Sequence, residues 1–208
     1  SNTTGNQNVA IGKECLQANV SGTSNVSMGY QSLYSNTASN NTAIGYKCSY
    51  FNITGQYNTA IGYKCLEGET NVYTGTSNNV AIGYQSLYSN TTTDSNIAIG
   101  YQSLYSNTVS ENTAIGYQCS YYNSDGAENV AIGYKCLMGD NISDTNINKN
   151  VAIGYSCGQF VGSNANRNVL IGYANPDYPI LKFKYFYDII KQEQETKKIS
   201  NITIIWRM

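Results

Sequence analysis

Six cysteines, thirteen carboxylates, twenty tyrosines and no histidine form the reactive inventory of this 208-residue chain. Cysteine can supply disulfides or metal ligands, and paired carboxylates can supply general acid and base catalysis. Every cysteine, namely Cys15, Cys48, Cys65, Cys119, Cys136 and Cys157, lies three residues after a glycine, and three other repeats carry Ser32, Ser86 and Ser103 at that offset. A position that accepts sulfur or oxygen wants a small side chain, so a column of small buried thiols is expected. Zinc would need Cys-x-x-Cys pairs or a Cys and His cluster, neither of which occurs, so no metal or cofactor is expected. Disulfides between neighbours such as Cys48 and Cys65 stay open as a second reading, because in-register residues on adjacent strands lie about 4.8 Å apart.

The acids of the repeat region are Glu14, Glu67, Glu69, Asp94, Glu111, Asp125, Glu128, Asp140 and Asp144, nearly all in variable stretches. A polysaccharide-cleaving enzyme would need acids or bases at facing positions on neighbouring coils. With no fixed carboxylate column, the chain is read as non-enzymatic. Glu67 and Glu69 read as solvated loop residues. The stretches 67–78 and 138–149 are each about four residues longer than their counterparts, a loop length that a rigid scaffold uses for recognition or tolerates as an insertion. On the recognition reading, Glu67, Glu69, Asp140 and Asp144 are candidate partner contacts.

These residues are placed by a repeat. The tetrad Ala-Ile-Gly-Tyr, or a close variant, recurs ten times, with glycines at 12, 29, 45, 62, 83, 100, 116, 133, 154 and 172. The intervals are 17, 16, 17, 21, then 17, 16, 17, 21, and finally 18, so a block of 71 residues has itself been copied. Four residues before each glycine stands Asn8, Asn25, Asn41, Asn58, Asn79, Asn96, Asn112, Asn129, Asn150 or Asn168. Immediately before it stands Ile11, Ile44, Ile61, Ile82, Ile99, Ile115, Ile132, Ile153 or Ile171, with Met28 in the remaining repeat.

Short β-branched runs bounded by Asn, Ser, Thr and Gly read as strands. A period near 17 residues suits one coil of a β-solenoid with two or more short strands, so the fold expected is all-β, a parallel β-solenoid of about ten coils over residues 1–175. Stacking turns each fixed position into a column. The Ile column is expected to be the core, with a second column from Leu16, Leu33, Leu66, Leu87, Leu104 and Leu137. The Asn column is expected to be a hydrogen-bonded ladder, and the glycine to permit positive φ or close backbone approach. Tyr30, Tyr46, Tyr63, Tyr84, Tyr101, Tyr117, Tyr134, Tyr155 and Tyr173 follow the glycine. They read as a stacked aromatic column, or as an amphipathic surface for sugars or protein partners.

Charge excludes some partners. With 12 basic and 13 acidic side chains there is no cationic field for nucleic acid or an anionic membrane, and no apolar run of about 18 residues suggests membrane insertion. The chain opens at Ser1 inside a repeat's loop without an initiating Met, as expected of a piece of a longer protein.

With Asn-Val-Ala-Ile-Gly at 8–12, 79–83, 129–133 and 150–154, the repeat resembles the head repeat of trimeric autotransporter adhesins of the Yersinia adhesin type, similar repeats occurring in fibre proteins of phages and large DNA viruses. The resemblance covers nearly all of residues 1–175. It implies a left-handed β-roll, a homotrimer and a surface attachment role toward a host surface protein or glycan. The column Ala10, Ala43, Ala60, Ala81, Ala98, Ala114, Ala131 and Ala152 is a small-residue face that another chain could approach. Longer, Tyr-rich and Cys-marked coils resemble viral fibre repeats more than a bacterial head, so a virion surface fibre, or an extracellular or cell-surface one, is expected. A purely structural spacer that binds nothing is the alternative.

After Tyr173 the repeat fails, and Pro176 and Pro179 end the stack. Residues 176–208, with alternating Leu181, Phe183, Tyr185 and Tyr187, read as a short cap or a trimerisation segment.

Overall fold

The computed structural model describes residues 3–68, 75–90, 92–123, 125–139, 147–159 and 166–173. Strands β1 (Val9–Ile11), β2 (Val26–Met28), β3 (Thr42–Tyr46), β4 (Thr59–Tyr63), β5 (Val80–Tyr84) and β6 (Ile97–Ile99) are followed by β7 (Ser106–Asn107), β8 (Thr113–Tyr117), β9 (Tyr122–Asn123), β10 (Val130–Tyr134), β11 (Val151–Tyr155) and β12 (Val169–Tyr173). Among the described residues there is no helix. Ten of the strands form one parallel sheet in the order β1-β2-β3-β4-β5-β6-β8-β10-β11-β12, each successive coil of the chain adding the next strand. The fold is a parallel β-solenoid. Register is set by the tetrad: β4 and β5 align Thr59 with Val80, Ala60 with Ala81, Ile61 with Ile82, Gly62 with Gly83 and Tyr63 with Tyr84.

Strand side chains alternate between faces, and the alternation puts the columns on the opposite sides from those expected. Ala43, Ala60, Ala81, Ala98, Ala114, Ala131 and Ala152 are 0% exposed and form the inward column. The Ile column and the Val or Thr column two residues earlier point outward and are half-buried or exposed, Ile11 at 55% and Ile171 at 47%. The Ile column is therefore not the core, and the Ala column is not a face open to another chain. The inside of a coil is too narrow for a second branched row, because the Leu and Cys columns already fill it. Leu33, Leu66, Leu87 and Leu104 are fully buried, as expected of the second column. Where Ser27 replaces the inward Ala, its hydroxyl donates to the Ser32 carbonyl and also meets the Ser32 hydroxyl, so the one polar intruder is satisfied by a serine in the Cys position.

The other side of the coil is not a second strand throughout. Among the described residues only β7 and β9 pair there. Elsewhere the chain passes through left-handed conformations at three positions per coil, in the second coil Ser24 (φ 58°), Gln31 (φ 54°) and Leu33 (φ 48°). Each such L-residue costs roughly 1–2 kcal/mol, a strain offset by burial of the leucines and by backbone bonds to the next coil, such as Leu87 N–H to the Ser103 carbonyl (3.1 Å) and Ser89 N–H to the Tyr105 carbonyl (2.9 Å).

Two further columns fix the spacing. The tetrad glycines have φ of 119° to 133°, and a Cβ on any of those from Gly12 to Gly154 would lie under 3.0 Å from the next coil's glycine carbonyl. Both properties anticipated for this glycine are present. The asparagine ladder is continuous, but its common rung is not amide to amide: each Asn backbone N–H donates to the preceding Asn side-chain carbonyl, from Asn25 to Asn8 (2.9 Å) through Asn168 to Asn150 (2.9 Å). The Nδ2 groups then reach across the coil, as from Asn41 to the Gly55 carbonyl (2.8 Å) and from Asn129 to the Ile147 carbonyl (2.7 Å).

Gly116→Ala is expected to lower unfolding stability by about 3 kcal/mol or more, since it combines left-handed strain with a backbone clash. Asn96→Ala, which strands the buried Asn112 N–H, is expected to cost about 1–3 kcal/mol. Urea titration monitored by circular dichroism checks both, and an unchanged midpoint for either would refute the role given to that column.

Candidate functional site

Side chains that project from the strand and its following turn decide what this rod offers to a partner. The tetrad tyrosines stack continuously from Tyr30 to Tyr173, with ring centroids 4.7–5.4 Å apart and planes within 18° of parallel. They lie on the outside, Tyr101 being 41% exposed, so the sequence's open question about their face is answered. A second aromatic column, which the sequence reading missed, stands four residues further on: Tyr34 stacks on Tyr50, and Tyr88, Tyr105 and Tyr121 form a run with centroids 4.8–5.0 Å apart. Counting from the tetrad glycine would have found it.

Between the two runs lies a column of Gln and Lys. Lys47 Nζ sits 5.7 Å from the Tyr46 ring and 5.1 Å from the Tyr50 ring, which places it between the aromatic columns. Gln118 donates to Gln102 (3.0 Å) and Gln102 to Gln85 (2.9 Å), extending the column as an amide chain. The outcome is a flat Tyr–Gln/Lys–Tyr strip parallel to the stack.

Glu67 occupies the second aromatic column between Tyr50 and Tyr88. It is not a solvated loop residue: it is 5% exposed and paired with Lys64 at 3.1 Å, while Lys64 also lies 5.6 Å from the Tyr88 ring. Its carboxylate is thus committed inside the strip rather than presented on a loop. The other proposed loop contacts, Glu69, Asp140 and Asp144, lie outside the described residues, as does the segment 176–208. Of the remaining acids, Glu14 accepts from Gln31, Asp94 accepts the Ser77 backbone N–H (2.6 Å) and Glu128 meets Lys149 at 3.3 Å. Each serves a local structural contact.

A second asparagine column was also missed. Asn19, Asn36, Asn52, Asn90, Asn107 and Asn123 are buried, and they close turns, Asn19 Oδ1 accepting the Gly22 N–H (3.0 Å) while its amide donates to the Gly22 carbonyl (3.0 Å). They recur seven residues after the tetrad glycine, a regularity visible in the sequence.

All six cysteines are free thiols, and all except the half-buried Cys15 are buried. Each sulfur is held between two carbonyls: Cys119 Sγ lies 3.4 Å from the Ile115 carbonyl and 3.0 Å from the Gly133 carbonyl of the next coil. The serines at this position do not repeat those bonds: Ser86 donates to Cys65 Sγ (3.4 Å) and the buried Ser103 hydroxyl has no partner among the described residues, so what Cys and Ser share here is small size. The neighbouring Cys65 thiol, then burial, push the Cys48 thiol up; Cys136, then burial, do the same to Cys119 and Cys157. Burial also raises the hydroxyls of Tyr50, Tyr88, Tyr105 and Tyr121. Among the described residues no group of three or more Cys, Asp or Glu is placed to hold a metal ion, and no helix is long and apolar enough to cross a membrane.

Comparison with known protein families, curated proteins and solved structures finds no match.

Above about pH 9, where Cys65 and Cys136, lowered by the same contacts, are ionised in the folded and unfolded chain alike, the raised thiols of Cys48, Cys119 and Cys157 set the pH dependence. The unfolded chain releases these protons first, so the stabilisation is intact below about pH 9 and is lost as pH rises above it. Thermal melts from pH 9 to 10.5 are expected to show a falling midpoint, with a shallower fall in Cys119→Ser. A midpoint independent of pH would contradict this. Alkylation under native conditions is expected to label Cys15 well before Cys48 or Cys119, read by peptide mass spectrometry.

Proposed function

We propose that the protein is a non-enzymatic fibrous element that works as a homotrimeric attachment fibre on a virion or cell surface. The observation that carries this reading is the outward face of the ten-stranded sheet. Its Ile and Val or Thr columns run side by side along the rod, half-buried to exposed, with nothing among the described residues to cover them. Nine strand spacings of about 4.8 Å by two residues of strand give an apolar band on the order of 300 Å². A contiguous band of about that size is as large as the largest patch on a typical soluble monomer, which often serves association. Three such bands facing one axis would bury one another, which is the arrangement that the resemblance to trimeric adhesin heads implies, together with its left-handed coil. The Ile column thereby takes over the role first assigned to the Ala column.

Attachment follows from what remains outside. With the apolar band turned inward, the tetrad tyrosines, two residues beyond Ile on the same strand, flank the band, and the Gln/Lys and second tyrosine columns beyond them stay at its rim in three copies, where repeated weak contacts gain affinity through multivalency. The stack supplies the stiffness that keeps those copies in fixed geometry.

Light scattering on a size-exclusion column is expected to give a mass near three times the 22.7 kDa of one chain. The double variant Ile82→Lys with Ile115→Lys changes only outward side chains and is expected to give a folded single chain with an unaltered strand signal. A wild-type monomer would overturn the trimer. Labelled trimer is expected to bind host-cell surfaces at least about 100-fold more tightly than the monomeric variant, by multivalency; equal binding would overturn the attachment reading.

A further inference from the structure

The middle of the strip is the most regular surface of the rod. Over three successive coils Tyr84, Tyr101 and Tyr117 form one edge, their centroids 5.0 Å apart at both steps. Tyr88, Tyr105 and Tyr121 form the other, at 5.0 and 4.8 Å. Gln85, Gln102 and Gln118 run between, already bonded to one another at 2.9 and 3.0 Å. We propose that this track binds an extended, neutral, equatorially linked polysaccharide lying parallel to the stack, one sugar per coil. The inference rests on the attachment reading and names the class of its ligand.

Three properties select that class. The first is pitch. A β-1,4-linked ribbon such as cellulose or chitin advances one sugar at nearly the spacing of these rungs, with successive sugars turned over, so each rung meets one sugar and every second rung meets the same edge. A bound peptide strand repeats its side chains on one face only every two residues, about 6.8 Å, and drifts out of register within two rungs. The second is charge. The central column is uncharged here, and the cations elsewhere in it, Lys47, Lys64 and Lys135, are few, with Lys64 neutralised by Glu67. Polyanions find little to hold them. The third is chemistry. Stacking covers the ring faces and leaves ring edges outward, the Tyr88 hydroxyl being engaged by Glu67 and Lys64, and Gln102 and Gln118 each spend one N–H on the preceding glutamine and keep another. Such a surface recognises hydroxyls presented in series, not the face of a single sugar, and its groups are already ordered before the ligand arrives.

Length dependence follows. A monosaccharide spans one rung and should not bind measurably, whereas each added sugar engages another.

The test uses the full chain and three insoluble or soluble glucans and chitin as probes. Pull-down on cellulose and on chitin is expected to retain the protein, amylose, whose helical chain lacks the straight repeat, is not, and affinity for soluble cello-oligosaccharides is expected to rise up to three units, the length of the track, and to level off beyond. Tyr84→Phe, Tyr101→Phe and Tyr117→Phe together keep the ring stack and remove only hydroxyls, and are expected to cut binding at least about tenfold with an unchanged melting midpoint. Gln102→Glu, which charges the track, is expected to weaken it similarly. Wild-type protein that binds host cells but neither cellulose nor chitin would overturn this proposal and leave attachment standing; binding to amylose as strong as to cellulose, or an undiminished triple variant, would also overturn it. Failure to bind cells as well would remove the attachment reading on which it rests.

Discussion

The approach of one coil to the next at the glycine column governs the rest of the molecule. There the carbonyl of each glycine occupies the space that the preceding glycine's Cβ would need, and the backbone holds a φ that L-residues avoid. That approach brings the neighbouring groups into bonding range. The Cys side chain three residues later can donate to the same carbonyl, the asparagine four residues earlier can receive the next backbone N–H, and the tyrosine beside it falls onto its neighbour's ring at stacking distance. Each column is a separate chemistry, but all share one spacing.

This explains how a chain with 12% charged residues and a polar, glycine-rich composition holds a fold. Its interior is a thin seam of Ala, Leu and Cys rather than a broad core, so hydrophobic burial per coil is small. Satisfied polar columns supply the remaining specificity, since each buried amide has a partner set that only the correct register provides. Left-handed positions such as Gln31 and Leu33 would be costly in isolation, and here they persist because the stack leaves no other path for the turn.

Much of this was legible in the sequence, and its limits have physical causes. Period, all-β class, parallel stacking, the Asn ladder, the buried thiols and the Leu column all followed from residues recurring at fixed offsets. The inversion of Ile and Ala did not, because periodicity reports which residues share a face and hydrophobicity then suggests which face is inside. That suggestion fails where the interior is too narrow for Ile. Glu67 was misread because its charge suggested solvent, while its partners Lys64 and Tyr88 come from its own coil and the next. The second Tyr and Asn columns were present at offsets of five and seven from the glycine, but both are interrupted at the longer coils, which hides them from inspection repeat by repeat.

The inter-coil bonds, from the strand ladder to the asparagine rungs, all point along the rod. Tension applied at its ends would therefore load the bonds of one rung together and the rungs one after another, so that the rod can carry no more force than its weakest junction. Those junctions are the ones with three-residue strands, β1, β2 and β6, where the sheet ladder is shortest. A rod built this way would begin to unravel at those coils under load, and the force at which it yields would be independent of how many repeats it contains.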